Sequence, residues 1–177
     1  MAPTLELPGR ALVVLVGPAG AGKSTLAERH FAPSEVLSSD AIRAELTGDP
    51  GDQRVTRRAF ELLDRRLEAR LAAGRTCVVD ATNVTAAARH SLLRIARVHR
   101  TPAVAIVLAL DPAIVRARNA GRDRVVPAEA VARHHAALDG ALRADAFRRE
   151  GFAAVVVLET PEAVEALVIS RRAARPD

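Results

Sequence analysis

Ala11-Leu-Val-Val-Leu-Val-Gly17-Pro-Ala-Gly-Ala-Gly-Lys23-Ser24-Thr-Leu-Ala-Glu-Arg-His30 is the stretch that decides the fold. Gly17 to Ser24 satisfies the spacing G-x-x-x-x-G-K-[ST] in full. The apolar run before it reads as a buried strand and Thr25 to His30 opens a helix, the order strand, loop, helix that a phosphate-cradling loop requires. Glycine recurs there because backbone N–H groups must close around an anion, and the helix N-terminus adds the positive end of its dipole. Ser24 is placed to put its hydroxyl on a magnesium ion. The loop therefore predicts binding of ATP with Mg2+ through Gly17, Gly20, Ala21, Gly22, Lys23, Ser24 and Thr25.

Lys23 carries its own signal. Among 26 Lys and Arg side chains it is the single lysine. A compact ammonium on a flexible stem can follow a phosphate in transfer, whereas the wide planar fork of arginine fits such a loop poorly.

Composition sets the outer limits. A chain of 177 residues with 49% hydrophobic content is long enough to bury one ordinary core, so a single domain over residues 1–177 is expected. No apolar stretch of about 18 residues is present to span a bilayer, and the N-terminus lacks the pattern of a secretory signal, which predicts a cytoplasmic protein with no membrane partner. The single cysteine, Cys77, lies in the apolar run Thr76-Cys-Val-Val79 and reads as a buried, inert thiol. A net charge of +5 favours anionic ligands without choosing among them. With four Phe and neither Tyr nor Trp, a row of stacking rings for a single strand is excluded, so any nucleic acid must be held through phosphates and arginine planes.

Strand and helix patterns alternate along the chain. Val36-Leu37 leads into Ser38-Ser39-Asp40, and Asp40 to Leu46 reads as a helix capped by those polar residues. Thr47 to Gln53 is a loop by composition. Val55 to Ala73 predicts a long amphipathic helix ended by Gly74. Further strands are expected at Thr76 to Val79, Ala103 to Leu110 and Ala153 to Leu158, with helices over Thr85 to Val98, from Pro112, from Pro127 and from Pro161. The fold class that follows is α/β: a mainly parallel sheet of about five strands, helices on both faces, and the ligand beyond the carboxyl ends of the strands.

Several polar features fall at those ends. Asp40 and Arg43 are one helical turn apart and face the same way. Phosphoryl transfer to a hydroxyl needs a carboxylate to take the proton and a cation to hold an anionic acceptor, and this pair meets both needs. The plainer alternative makes Asp40 a helix cap and Arg43 a solvated side chain. Asp80-Ala-Thr-Asn83 follows an apolar strand, where such enzymes keep an acid that helps hold the metal, although a strand-ending Asp is also common turn chemistry. Arg116, Arg118, Arg122 and Arg124 cluster around Gly121 and suit an arginine-rich lid over residues 116–127, against the alternative of a solvated face with local ion pairs. His134 and His135, being adjacent, make a poor metal pair and read as surface or half-buried, and Arg171, Arg172 and Arg175 read as a frayed, solvated end.

Taken together, the chain resembles the kinase module of the bacterial polynucleotide kinase-phosphatase family, the 5′-OH polynucleotide kinases of RNA repair. The resemblance runs through Leu12 to Gly17 and the phosphate loop, His30-Phe-Ala-Pro33, Val36-Leu-Ser-Ser-Asp40 with Arg43, Asp52-Gln53, Val55-Thr56, Val78-Val-Asp-Ala-Thr-Asn83, Arg118-Asn119 and Arg149-Glu-Gly-Phe152. It implies a catalytic set of Asp40, Lys23, Arg43 and Arg122, with Asp40 as general base and Arg43 on the acceptor's neighbouring phosphate. It also implies lid contacts from Arg118, Arg122 and Arg124 to the ATP phosphates, acceptor contacts from Arg43, Gln53 and Asn83, and a metal site of Ser24 and Asp80. The lid is about one residue shorter than the family's, which shifts the match at Arg124. Members usually fuse this module to a phosphatase and a ligase-like domain, so a kinase module alone is expected to act on RNA or DNA 5′-OH ends beside separate phosphatase and ligase proteins; a homodimer is compatible with the sequence. The rival readings are a small-metabolite kinase acting on a sugar, antibiotic or nucleoside, and a nucleotide-switched binding module. Arg43 argues against the first, since a neutral sugar gives it nothing to bind, and Asp40 against the second, since a switch needs no alcohol-activating base.

Overall fold

A computed structural model describes residues 2–172. Five strands form the main sheet: β2 (Leu12–Val16), β3 (Val36–Ser38), β4 (Cys77–Asp80), β5 (Ala103–Leu108) and β6 (Ala154–Leu158), all parallel, in the order β3-β4-β2-β5-β6. These are the five strands that the apolar runs predict. From β2 the chain goes to one side for β3 and β4 and returns to the other for β5 and β6, so the loop after β2 lies where the winding changes direction, the place where such sheets bind ligands.

Eight helices are described: α1 (Lys23–His30), α2 (Ser39–Thr47), α3 (Thr56–Ala72), α4 (Ala86–Val98), α5 (Pro112–Ala120), α6 (Ala128–Arg143), α7 (Ala146–Glu150) and α8 (Pro161–Ala166), with single 3-10 turns at Pro33–Glu35 and Gln53–Val55. The pleat of β2 assigns its residues to two cores. Leu12, Val14 and Val16 pack with Leu63, Leu67 and Leu71 of α3 and Leu92 and Leu93 of α4, while Val13 and Leu15 join Leu26 of α1 and Val115 of α5. Because both faces are covered, all five residues of β2 are buried, which is why it reads as a continuous apolar run rather than an alternation.

Two strands escape the sequence reading. β1 (Thr4–Leu7) and β7 (Val168–Arg171) pair in parallel as a separate small sheet, with Leu5 and Leu7 turned into the second core. Arg171 and Arg172 are therefore not a frayed end: Arg171 forks onto Glu35 at 2.6 and 2.8 Å, and Arg172 pairs with Glu6 at 2.7 Å. Arg175 lies outside the described residues. The segment between α6 and β6 also holds α7, unforeseen because at five residues it is too short to show a period. His135 is buried rather than at the surface, with burial favouring its neutral form, while His134 is half-buried. Among the described residues no helix is long and apolar enough to cross a membrane.

Candidate nucleotide and acceptor site

Beyond the carboxyl ends of β2, β3 and β4 lies a cavity of about 1020 Å3, at the top of the roughly 300–1,000 Å3 range of small-ligand pockets. Its floor is the phosphate loop. Gly20 has φ +88°, and a Cβ there would stand 3.0 Å from the Val115 carbonyl oxygen and 3.2 Å from the Asn119 backbone nitrogen, so only glycine lets the loop lie this close to α5. Gly20, Gly22, Lys23, Ser24 and Thr25 line the cavity. Gly17 and Ala21, expected among the phosphate contacts, do not: their N–H groups donate to the Thr82 and Pro18 carbonyls, and Ala21 is buried in the second core.

Lys23 is buried at the start of α1, and its Nζ donates to the carbonyls of Gly17 and Pro18, each at 2.9 Å. Burial lowers its pKa to about 8, the nearby positive charge of Arg122 acts in the same direction, and Asp80 opposes both. Asp80 ends β4 in register with Leu15 on one side and Ser38 on the other. Its Oδ2 accepts from the Ser24 hydroxyl at 2.7 Å, and burial raises its pKa against the pull of Ser24 and Lys23. One carboxylate beside one hydroxyl, both hard oxygen donors, fits magnesium, which keeps several waters and takes its other ligands from substrate phosphates.

At the start of α2, Ser38 rather than Asp40 is the cap, its hydroxyl accepting from the Ala41 N–H at 3.3 Å. Asp40 is thereby left in the first turn facing the cavity. Arg43 is not solvated. Only 8% of its side chain is exposed; Nη1 donates to Asp40 Oδ1 at 2.6 Å, and its buried Nε has no partner. Phe60 of α3 lies beneath the guanidinium at 5.8 Å. Gln53 also lines the cavity. Asn83, expected at the acceptor, does not line the cavity: it is buried with φ +49°, and its side-chain amide donates to the Leu15 carbonyl at 2.8 Å, so it ties the turn after β4 to the end of β2. The same turn is clamped from below, where buried Arg89 donates to the Asn83 and Val84 carbonyls and pairs with Glu150 at 2.7 Å.

The lid arginines do not act as one group. Arg118 comes within 3.5 Å of the Ala21 carbonyl, and Arg122 lies near enough to Lys23 for its charge to be felt there. Arg124, expected on the ATP phosphates with them, donates to the Pro50 carbonyl at 2.9 Å and stands 3.5 Å from Asp40 Oδ2. Arg116 does not line the cavity. Motif reasoning missed Phe60, His134 and Pro161, all in the lining; each sits on a helix where periodicity distinguishes only core from surface.

Residues 12–144 match the model of the family AAA_33, described as an AAA domain. No curated protein matches the chain. Among solved structures, a chain of the Pnkp1/Rnl/Hen1 RNA repair complex is similar at 19% identity and TM-score 0.64, over 76% of this chain and 46% of that one. The chain thus spans less than half the length of that relative. A gluconokinase from Sinorhizobium meliloti 1021 is similar at 19% identity and TM-score 0.54 over 90% of each chain. The Mycobacterium tuberculosis APS kinase CysC, solved in complex with AMPPNP and APS, is similar at 18% identity and TM-score 0.54, over 90% of this chain and 94% of that one. At such identities the likeness speaks for the fold, which is the α/β fold of P-loop kinases. With about three quarters of its length matched by one family model, the chain belongs to the AAA_33 family of AAA domains.

Proposed function

We propose that the protein is an ATP- and magnesium-dependent kinase that transfers the γ-phosphate to the 5′-hydroxyl end of RNA or DNA. The observation that carries this reading is Arg43: a guanidinium with only 8% of its side chain exposed, its Nη1 on Asp40 and its Nη2 without a protein partner among the described residues, fixed one turn from a half-exposed carboxylate in the cavity. A buried cation with spare donors calls for an anion on the acceptor, and a polynucleotide end offers one next to its attacking hydroxyl. The likeness to a chain of an RNA repair complex supports the same reading.

The reaction needs positioning and charge neutralisation more than covalent chemistry. Gly20, Gly22 and Thr25 cradle the polyphosphate, and Lys23, Arg118 and Arg122 neutralise it. Ser24 and Asp80 would hold magnesium, which supplies further neutralisation of phosphate charge. The acceptor oxygen bonds to the γ-phosphorus as the bond from that phosphorus to the β,γ-bridging oxygen breaks. The hydroxyl proton passes to the Asp40 carboxylate, and ADP leaves with the bond's electron pair. Separate phosphatase and ligase proteins would complete any repair.

Nucleoside 3′-monophosphates and nucleosides, compared as acceptors, test the assignment. Loss of one charge-assisted contact is worth roughly 10- to 100-fold in kcat/KM. The 3′-phosphate should confer that advantage on the natural protein, and Arg43→Ala should remove it. Equal use of both acceptors by the natural protein would refute the role of Arg43.

A further inference from the structure

Asp40 is held by two arginines from different parts of the chain. Arg43 of α2 takes Oδ1 at 2.6 Å, and Arg124 of the segment between α5 and α6 stands 3.5 Å from Oδ2. Arg124 is fixed there by the Pro50 carbonyl at 2.9 Å and by the bare face of Gly51, where a Cβ would fall 2.6 Å from its Nε. Among the described residues Arg124 donates through Nη1 alone and Arg43 likewise through Nη1, to Asp40 and Ser39, which leaves Nη2 of each fork without a protein partner. Two guanidiniums around one carboxylate leave one positive charge in excess. A single phosphodiester would balance it and match the open donors of both forks.

We infer that Arg124 is a specificity residue for the acceptor, forming with Arg43 a two-arginine seat for the phosphodiester next to the attacking hydroxyl. This rests on the polynucleotide reading above. The same seat regulates the base. With both oxygens engaged by cations, Asp40 is a poor partner for a hydroxyl; an acceptor phosphate competes for the two guanidiniums and leaves a carboxylate oxygen free for the proton. Proton acceptance is thereby tied to the presence of the correct acceptor, and water, which brings no phosphate, does not release the base. Arg118 and Arg122 stay with the phosphate loop, so one lid closes over donor and acceptor together.

The test uses short 5′-OH oligonucleotides whose first internucleotide linkage is either a phosphodiester or an uncharged methylphosphonate, together with calorimetric titration of AMPPNP and magnesium. The natural protein should prefer the charged linkage. Arg124→Ala should reduce that preference by roughly tenfold or more while leaving AMPPNP affinity within about twofold. Gly51→Ala, which displaces the guanidinium without removing it, should reproduce part of the loss. A preference for the charged linkage that survives undiminished in Arg124→Ala would overturn the inference, and weakened AMPPNP binding in the same variant would return Arg124 to the nucleotide. If the natural protein phosphorylates neither oligonucleotide, the polynucleotide reading fails. The phosphodiester seat then falls with it, and the titration decides only whether Arg124 serves the nucleotide: weakened AMPPNP affinity assigns it there, and unchanged affinity excludes that role.

Discussion

The phosphate loop and the lid facing it gather positive charge by opposite means. The loop is backbone: it is held against α5 by a close approach at Gly20, anchored through the Gly17 N–H to the Thr82 carbonyl, and carries one buried ammonium. The segment expected as a lid is side chain: from a helix end and an irregular stretch Arg118 reaches the Ala21 carbonyl and Arg124 reaches Pro50 and Asp40, while Arg122 lines the cavity near Lys23. A site made of backbone is preorganised and tolerates little change. One made of arginine forks divides its charge between partners, and its assignments are decided not by composition or spacing but by which carbonyl or carboxylate each fork meets.

Substitutions should expose that difference. Asp40→Ala removes the group both arginines of the acceptor end surround and should lower transfer by roughly 10^2- to 10^4-fold while sparing AMPPNP binding. Rapid transfer by this variant would remove Asp40 as the base. Gly20→Ala should act on the other half: the positive φ costs roughly 1–3 kcal/mol in strain, and the Cβ meets α5 as well, so nucleotide affinity and thermal stability should fall together. An unchanged melting curve would show that the loop yields more than its packing implies.

The smallest effect concerns the end of β4 away from the loop, where Cys77 lies beside Leu12. Burial pushes the Cys77 thiol up to about 11 from 9.0. Between these values the unfolded chain releases its thiol proton while the folded one keeps it, so stability is whole below about pH 9 and is lost as pH rises toward 11. Between pH 9 and 10 the natural protein should lose about 1 kcal/mol more than Cys77→Ala in chemical denaturation. Parallel pH profiles for the two would place water against β4.

The sheet was legible because its signals are local. Continuous apolar runs mark strands buried on both faces, and the loop spacing marks the turn after β2. β1 and β7 were not legible: each is four residues long, and each acquires its meaning only from a partner more than 160 positions away. In the site, Lys23, Ser24, Asp40, Arg43 and Asp80 were found at the strand ends where the pattern put them. Asn83 and Arg124 make contacts that their motifs do not give, for one reason. A motif gives a residue's position along the chain, whereas the Leu15 carbonyl that takes the Asn83 amide, and the Pro50 carbonyl and Asp40 carboxylate that hold Arg124, are set by tertiary packing. The cap at Ser38, which frees Asp40 for the cavity, is a choice among three consecutive polar residues that spacing alone does not make.

Transfer of labelled γ-phosphate from ATP with magnesium tests the central claim most directly, using 5′-OH RNA and DNA oligonucleotides, 5′-phosphorylated controls, and a panel of sugars, nucleosides and small anionic alcohols. The account predicts label on the 5′-OH oligonucleotides and none on the 5′-phosphorylated controls. Label confined to a small molecule, or released only as free phosphate, would contradict it.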